Sequence, residues 1–102
     1  MKLTFYGHAC FHVQTQQGEV LFDPFITGNP QATISAEKVT ADAVLISHGH
    51  SDHLGDGIEI SKRLDVPIIA PFELSLYCAK KGAKTHPMHI GGDYTFPFGY
   101  VK

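Results

Sequence analysis

A chain of 102 residues accommodates one domain and little more, and with 43% hydrophobic residues it can bury an ordinary core. Its net charge is −2 and its eight lysines and arginines are scattered, so no basic stripe exists to neutralise a phosphate backbone. Nucleic acid is thereby excluded as an expected partner, whereas a small anionic substrate is not, because bound metal ions would supply positive charge.

Residues Lys2 to Tyr6 alternate, with Leu3 and Phe5 on one side and Thr4 and Tyr6 on the other, before Gly7 permits a break. Phe11 to Thr15 alternates again and places His12 beside Gln14, where it is expected to face solvent. Gln16-Gln17-Gly18 reads as a hairpin turn and Glu19 to Phe22 as the returning strand, so the opening is an antiparallel meander. Asp23-Pro24 ends it, because proline cannot donate to a ladder and restrains the residue before it. Phe25 to Thr40, with the turn signal Gly28-Asn29-Pro30, predicts a long loop with room for a short helical turn. Loops of that length inside compact domains are often functional.

The apolar run Ala43 to Ile46 predicts a strand buried on both faces. Leu54 with Ile58, and Ile60 with Leu64, form i, i+4 pairs on a helix that ends near Asp65, with Asp56 and Glu59 as a capping pair. Val66 to Ala70 predicts a short buried strand. A second helix opens at Pro71 and Glu73 and closes at Lys80, Lys81 and Gly82. Lys84 to Ile90 predicts another strand, Gly91-Gly92-Asp93 a turn, and Tyr94 to Phe98 the start of a hairpin. The fold class is mixed α/β (α+β), an antiparallel β opening followed by strand, helix, strand, helix, strand. The opening residues lack the apolar core and cleavage site of a signal peptide, and no run approaches a membrane span. A cytoplasmic location without a membrane partner is therefore expected. Cys10 and Cys78 have no metal-type spacing and are expected to be buried reduced thiols.

Histidine is the compositional oddity, with seven in the chain and three crowded into Ser47-His48-Gly49-His50-Ser51-Asp52-His53. In an extended backbone His48 and His50 project to the same side. Gly49 lets the chain bend between them, and Asp52 and His53 return to the same volume one tight turn later. Such a nitrogen and oxygen donor set suits Zn²⁺, and also Mn²⁺, Fe²⁺ or Ni²⁺. Asp52 could instead be only a helix N-cap and the histidines polar loop residues, but three histidines and an aspartate behind an apolar strand make that coincidence a poor account.

His48-Gly49-His50-Ser51-Asp52-His53 resembles the HxHxDH signature of the metallo-β-lactamase superfamily. Leu21-Phe22-Asp23-Pro24 resembles that superfamily's earlier motif. Together with Gly7-His8-Ala9-Cys10-Phe11, these segments are similar to small bacterial metal-dependent hydrolases akin to ascorbate-6-phosphate lactonases and N-acyl-phosphatidylethanolamine phospholipase D. The resemblance spans nearly the whole chain. It implies the N-terminal half of an αββα sandwich, one partial domain over residues 1–102, and two divalent metal ions with zinc in first place. His48 and His50 would serve metal one, and Asp52 and His53 metal two. Asp52 would also help hold a shared water, making it the catalytic residue, while Asp23 would orient ligand imidazoles by hydrogen bonds. His8 either approaches the site or is a polar residue at a strand end. His86 and His89 are placed at a strand edge near the pocket.

The implied function is hydrolysis of an ester, lactone, amide or phosphodiester bond of a small-molecule substrate by metal-bound hydroxide. The alternative is a non-catalytic metal-binding or assembly module, and a nuclease of the same superfamily is a third reading. The resemblance also implies further ligands on later strands: a His for metal one, a bridging Asp, and a His for metal two. Half a sandwich leaves an apolar sheet face needing cover. The chain is therefore expected to be a fragment, a truncated product, or a protomer completed by a C-terminal half or an oligomeric partner.

Overall fold

The alternating opening folds as a meander in the computed structural model, which describes residues 1–102. Strands β1 (Lys2–Phe5), β2 (Phe11–Thr15) and β3 (Gly18–Phe22) pair antiparallel, with Thr15 opposite Gly18 across the turn. The apolar runs that follow become β4 (Ala43–Leu45) and β5 (Ile68–Ala70), and β6 (Thr85–Pro87) completes the sheet. Strands β3 to β6 run parallel, and the spatial order β1-β2-β3-β4-β5-β6 is the order of the chain. A separate hairpin, β7 (Tyr94–Phe96) and β8 (Gly99–Val101), follows.

That monotonic order decides where the core lies. Crossovers between parallel strands share one hand, so connections that always step in the same direction fall on the same face of the sheet. The connections are the loop from Asp23 to Asp42, helices α1 (Ser51–Leu54) and α2 (Gly57–Leu64), and helix α3 (Phe72–Lys80). They cover Leu21, Val44, Ile46, Ile68 and Ala70 with Ile26, Val39, Ile60 and Cys78 in the main core. The opposite face is covered only at one end, where Ala43, Ile69 and Phe96 are buried with Leu45, Met88, Phe98 and Val101 packed around them. At the other end Leu3 and Phe5 remain 60% and 56% exposed, and Phe22 is also exposed. The radius of gyration, 12.4 Å, is close to the ~13 Å of a 100-residue domain, so the bare face does not reflect an open arrangement. No helix is long and apolar enough to cross a membrane.

Five local expectations are corrected. The predicted single helix is broken at Gly55, whose backbone takes φ 45°, so α1 is one turn and α2 starts again at Gly57. Asp56 occupies the N-cap position of α2 but its side chain makes no cap hydrogen bond; its Oδ2 accepts the backbone N–H groups of Ile26 (3.2 Å) and Thr27 (2.7 Å) and so anchors the long loop. His12 does not face solvent. It is buried beneath that loop, with Nε2 3.0 Å from Thr40 O and 3.2 Å from Glu19 Oε2. The strand expected over Lys84 to Ile90 shortens to Thr85–Pro87, and the loop from Phe25 to Thr40 contains turns but no helix.

Candidate metal centre

Local backbone geometry delivers the site. Ser47 leaves β4 directly, and His50 is the N-cap of α1 at φ −63°, ψ 146°, its carbonyl accepting the N–H groups of His53 (3.0 Å) and Leu54 (2.9 Å). The chain thus turns between His50 and Asp52, which brings the second pair of motif residues back over the first. The ring centroids of His48 and His53 lie 4.0 Å apart, and those of His48 and His50 lie 4.8 Å apart. Gly49 does not take a left-handed conformation, and a Cβ there would meet only Leu74 Cδ1 at 3.5 Å. The bend expected of Gly49 comes from the single-turn helix instead.

Asp23 holds this cluster together. Its Oδ1 accepts Ser47 N–H (2.7 Å), and its Oδ2 accepts both the Ser47 hydroxyl (2.7 Å) and His53 Nδ1–H (2.9 Å). The hydroxyl of Ser47 has one proton and gives it to Asp23, so it can only accept from His48 Nδ1, 2.9 Å away. Both imidazoles are therefore protonated on Nδ1, and Nε2 of each is free to donate a lone pair. Asp23 itself has φ 41°. Left-handed backbone at a residue preceding proline is strained, and strain of this kind persists where surrounding bonds over-determine it. Here they include Asp23 N–H to Leu45 O (2.9 Å) and Phe25 N–H to Asp23 O (2.7 Å).

The carboxylate of Asp52 lies among three imidazoles. His8 Nε2 is 3.0 Å from Asp52 Oδ2, and His53 Nε2 is 3.8 Å from Asp52 Oδ1. Desolvation, the largest single influence on this carboxyl, raises its pKa. Its own backbone N–H and the electrostatic influence of the His53, His8 and His50 rings together outweigh that, and the pKa is held below the ordinary carboxylate value. One donor atom each from His8, Asp52 and His53 fall within 4.8 Å of one another. His8, just past the end of β1, therefore lies beside Asp52 and His53. His86 and His89 do not join it: His86 packs against Tyr94 and Phe96, at 4.5 and 4.8 Å between centroids, and His89 lines a groove of about 580 Å³ on the less covered face.

Two contributors carry no metal-ligand signature in the sequence. Asn29 is buried and its Nδ2 donates to Tyr6 O, Phe25 O and Gly7 O, bracing the turn that carries His8. The Asn29-Pro30 turn signal was visible, but not what it would touch. Gly55 lets α1 press against the backbone of Pro24 and Phe25, directly behind Asp23. Cys10 lies beneath the same turn and is fully buried. Burial, then the nearby Asp23 and Asp56 carboxylates, pushes its thiol pKa up to about 12, and burial raises that of Cys78 as well. Thiolate is the reactive form, so a chromogenic disulfide reagent at pH 8 should label neither cysteine in the native chain and both after denaturation. Fast labelling of the native chain would contradict this burial.

The donors of His8, Asp52 and His53, with the Nδ1 atoms of His48 and His53 already engaged, fit divalent cations of the borderline type, while His48 and His50 lie outside that three-residue cluster. A sequence profile of the beta-lactamase superfamily domain matches residues 2–95. The chain belongs to that superfamily. Its architecture is accordingly an N-terminal portion of the metallo-β-lactamase fold. A UPF0173 metal-dependent hydrolase of Desulfitobacterium hafniense is 53% identical over the whole chain, which covers 44% of that protein. One from Bacillus cytotoxicus is 50% identical, and the whole chain covers 45% of it. The chain therefore spans a little under half the length of these relatives. Among solved structures, the metallo hydrolase Igni18 of the archaeon Ignicoccus hospitalis superposes with a TM-score of 0.82 at 33% identity, over 92% of this chain and 42% of that one. An isothiocyanate hydrolase from Delia radicum gut bacteria superposes with a TM-score of 0.73 at 19% identity, over 94% and 44% respectively, a likeness of fold alone.

Proposed function

We propose that this chain carries the first metal ligands of a metal-dependent hydrolase that holds two divalent cations, zinc first among them. The proposed reaction is hydrolysis of an ester, lactone, amide or phosphodiester bond in a small molecule. The observation that carries the reading is the Asp23 carboxylate, which engages Ser47 and His53 through the side away from Nε2 and so leaves His53 Nε2 facing Asp52 Oδ1 at 3.8 Å. His48 and His50 would hold one cation, and Asp52 and His53 the other. When bound, divalent cations supply Lewis acidity, acidifying a water and stabilising negative charge on the substrate oxygen. The residues of the chain supply the rest. Asp52 contributes an ionised carboxylate at neutral pH, held so by its own N–H and the surrounding histidines. Asp23 and Ser47 fix ring orientation, so no reorganisation of the imidazoles is needed as charge develops.

Zinc content after dialysis, together with chelator-sensitive cleavage of a chromogenic ester, a lactone and a phosphodiester, tests this. His50→Ala should lose one equivalent of zinc and Asp52→Asn should preferentially lose the other, each with hydrolysis reduced at least ~100-fold. Full zinc occupancy in both variants would remove the ligand assignment. One equivalent or none in the wild-type chain, with no chelator-sensitive cleavage, would favour a non-catalytic metal-binding module. We further propose that the bare face around Leu3, Phe5 and Phe22 is covered by polypeptide equivalent to the remainder of the longer relatives. Co-expression of that remainder from the Desulfitobacterium relative should yield a co-purifying complex that Phe5→Lys weakens; self-association of the chain in its place would point to a second copy.

A further inference from the structure

Helices α2 and α3 lie in one layer over the same face of the sheet, yet their outer surfaces differ. Along α2 the solvent-facing residues are Glu59, Lys62 and Arg63, as expected of an amphipathic helix. Along α3 they are Phe72, Glu73, Leu76, Tyr77, Ala79 and Lys80. Phe72, Leu76 and Tyr77 are each 48% exposed, while the inward side includes Ser75, whose hydroxyl donates to Ala70 O at 3.0 Å. Both aromatic rings of α3 thus stand on its outer side. A helix with apolar residues all round is one that is covered all round, and a contiguous exposed apolar patch marks a contact surface.

The polypeptide proposed to cover Leu3, Phe5 and Phe22 packs on the opposite face of the sheet and does not reach this one. The charges on α3 describe what does. Glu73 lies in its first turn and Lys80 in its last, and neither forms an ion pair within the chain. At about 100° per residue, Phe72, Glu73, Leu76 and Lys80 share one arc, directed away from buried Cys78. The midpoint between Glu73 and Lys80 falls between Leu76 and Tyr77. A two-fold axis through that midpoint, with two such helices antiparallel, sets Leu76 against its own copy and each Glu73 opposite the other copy's Lys80. The face is therefore complementary to itself, which is the requirement of an isologous contact.

We propose that the outer face of α3 is a docking surface for a second copy of this chain, the two helices lying antiparallel about an axis between Leu76 and Tyr77. The inference is independent of the metal reading. The patch is short, so the dimer belongs to the weak class that forms at micromolar concentration. The same helix touches the metal motif: Leu74 packs on the core, with Cδ1 3.5 Å from where a Cβ at Gly49 would stand. A contact that steadies α3 thereby steadies the segment between His48 and His50.

Sedimentation equilibrium of the chain from about 5 to 200 µM tests this. Monomer should pass to dimer across that range, and Leu76→Lys should raise the dissociation constant at least ~tenfold. Glu73→Lys and Lys80→Glu should each stay monomeric alone, because like charges replace both ion pairs. Their equimolar mixture should regain the dimer, since every contact is then Lys opposite Glu. Phe5→Lys, on the bare face, should leave the constant unchanged. All four changes are at exposed side chains. A wild-type chain that stays monomeric throughout overturns the proposal, as does a dimer that Phe5→Lys abolishes and Leu76→Lys leaves intact. So does a mixture of the two charge variants no more associated than either alone. Flotation of a monomeric wild-type chain with phosphatidylglycerol vesicles, lost in Leu76→Lys, would assign the face to a lipid surface and overturn it as well.

Discussion

Replacing Asp23 by alanine is expected to lower folding stability by about 3 kcal/mol and zinc affinity by at least about tenfold. Asp23 is buried and its two oxygens accept three hydrogen bonds, from Ser47 N–H, the Ser47 hydroxyl and His53 Nδ1–H. Alanine leaves those donors facing a cavity, and each unmet buried donor costs about 1–3 kcal/mol. Relief of the strained backbone at φ 41° returns part of that, which keeps the net loss near the lower end of the simple sum. The metal effect has a separate cause. Without Asp23, the Ser47 hydroxyl can donate to His48 Nδ1, and both His48 and His53 can place their proton on Nε2, where it blocks coordination. Asp23→Asn should recover part of the stability, since its Oδ1 can still accept Ser47 N–H, but not the zinc affinity, because its NH₂ would confront two donors. Guanidinium unfolding with and without zinc separates the two effects. An unfolding midpoint unchanged in Asp23→Ala would mean that this carboxylate does not hold the cluster together.

Gly55→Ala is expected to destabilise the chain by about 2–4 kcal/mol, whereas Gly49→Ala, inside the motif itself, should change stability by less than about 1 kcal/mol. At Gly55 the backbone has φ 45°, and a Cβ would come within 2.6 Å of Phe25 Cα and 2.8 Å of Phe25 N. Those are main-chain atoms that cannot rotate away, and the segment they belong to is tied to Asp56 through Ile26 and Thr27. The methyl group must therefore push α1 away from Phe25, carrying Asp52 and His53 with it. Gly49 has neither left-handed backbone nor a neighbour closer than 3.5 Å. Thermal unfolding of both variants measures the contrast. Equal midpoints would show that the close approach at Gly55 is relieved at no cost.

The contrast between those two glycines marks how far the sequence could be read. Periodicity was enough to place the meander, the strand Ala43 to Leu45 and the helix ending at Leu64, because each depends on near neighbours along the chain. The proximity of the motif rings was legible for the same reason: His48, His50 and His53 fall within six positions, and the turn at α1 brings His53 to 4.0 Å from His48 between ring centroids. What escaped depends on segments distant in sequence. Gly55 breaks the helix because Pro24 and Phe25 lie against it, and Asp56 gives its carboxylate to that loop and not to the helix end. Alternation showed that His12 and Phe11 lie on opposite faces, but not which face the loop would cover. The loop chose the side of His12, and Leu3 and Phe5 were left bare. Asn29 gave a turn signal and no hint that its amide would reach Tyr6 and Gly7.

Strand order equal to chain order has a kinetic side. No strand of this sheet needs to be inserted between two neighbours already paired, so each can dock on the free edge left by its predecessor. Every new edge is then available as soon as the preceding segment is in place, and loop closure never spans more than one connection. A polypeptide leaving a ribosome could lay down this sheet in the direction of its synthesis, with the imidazole cluster assembled before β5 is added.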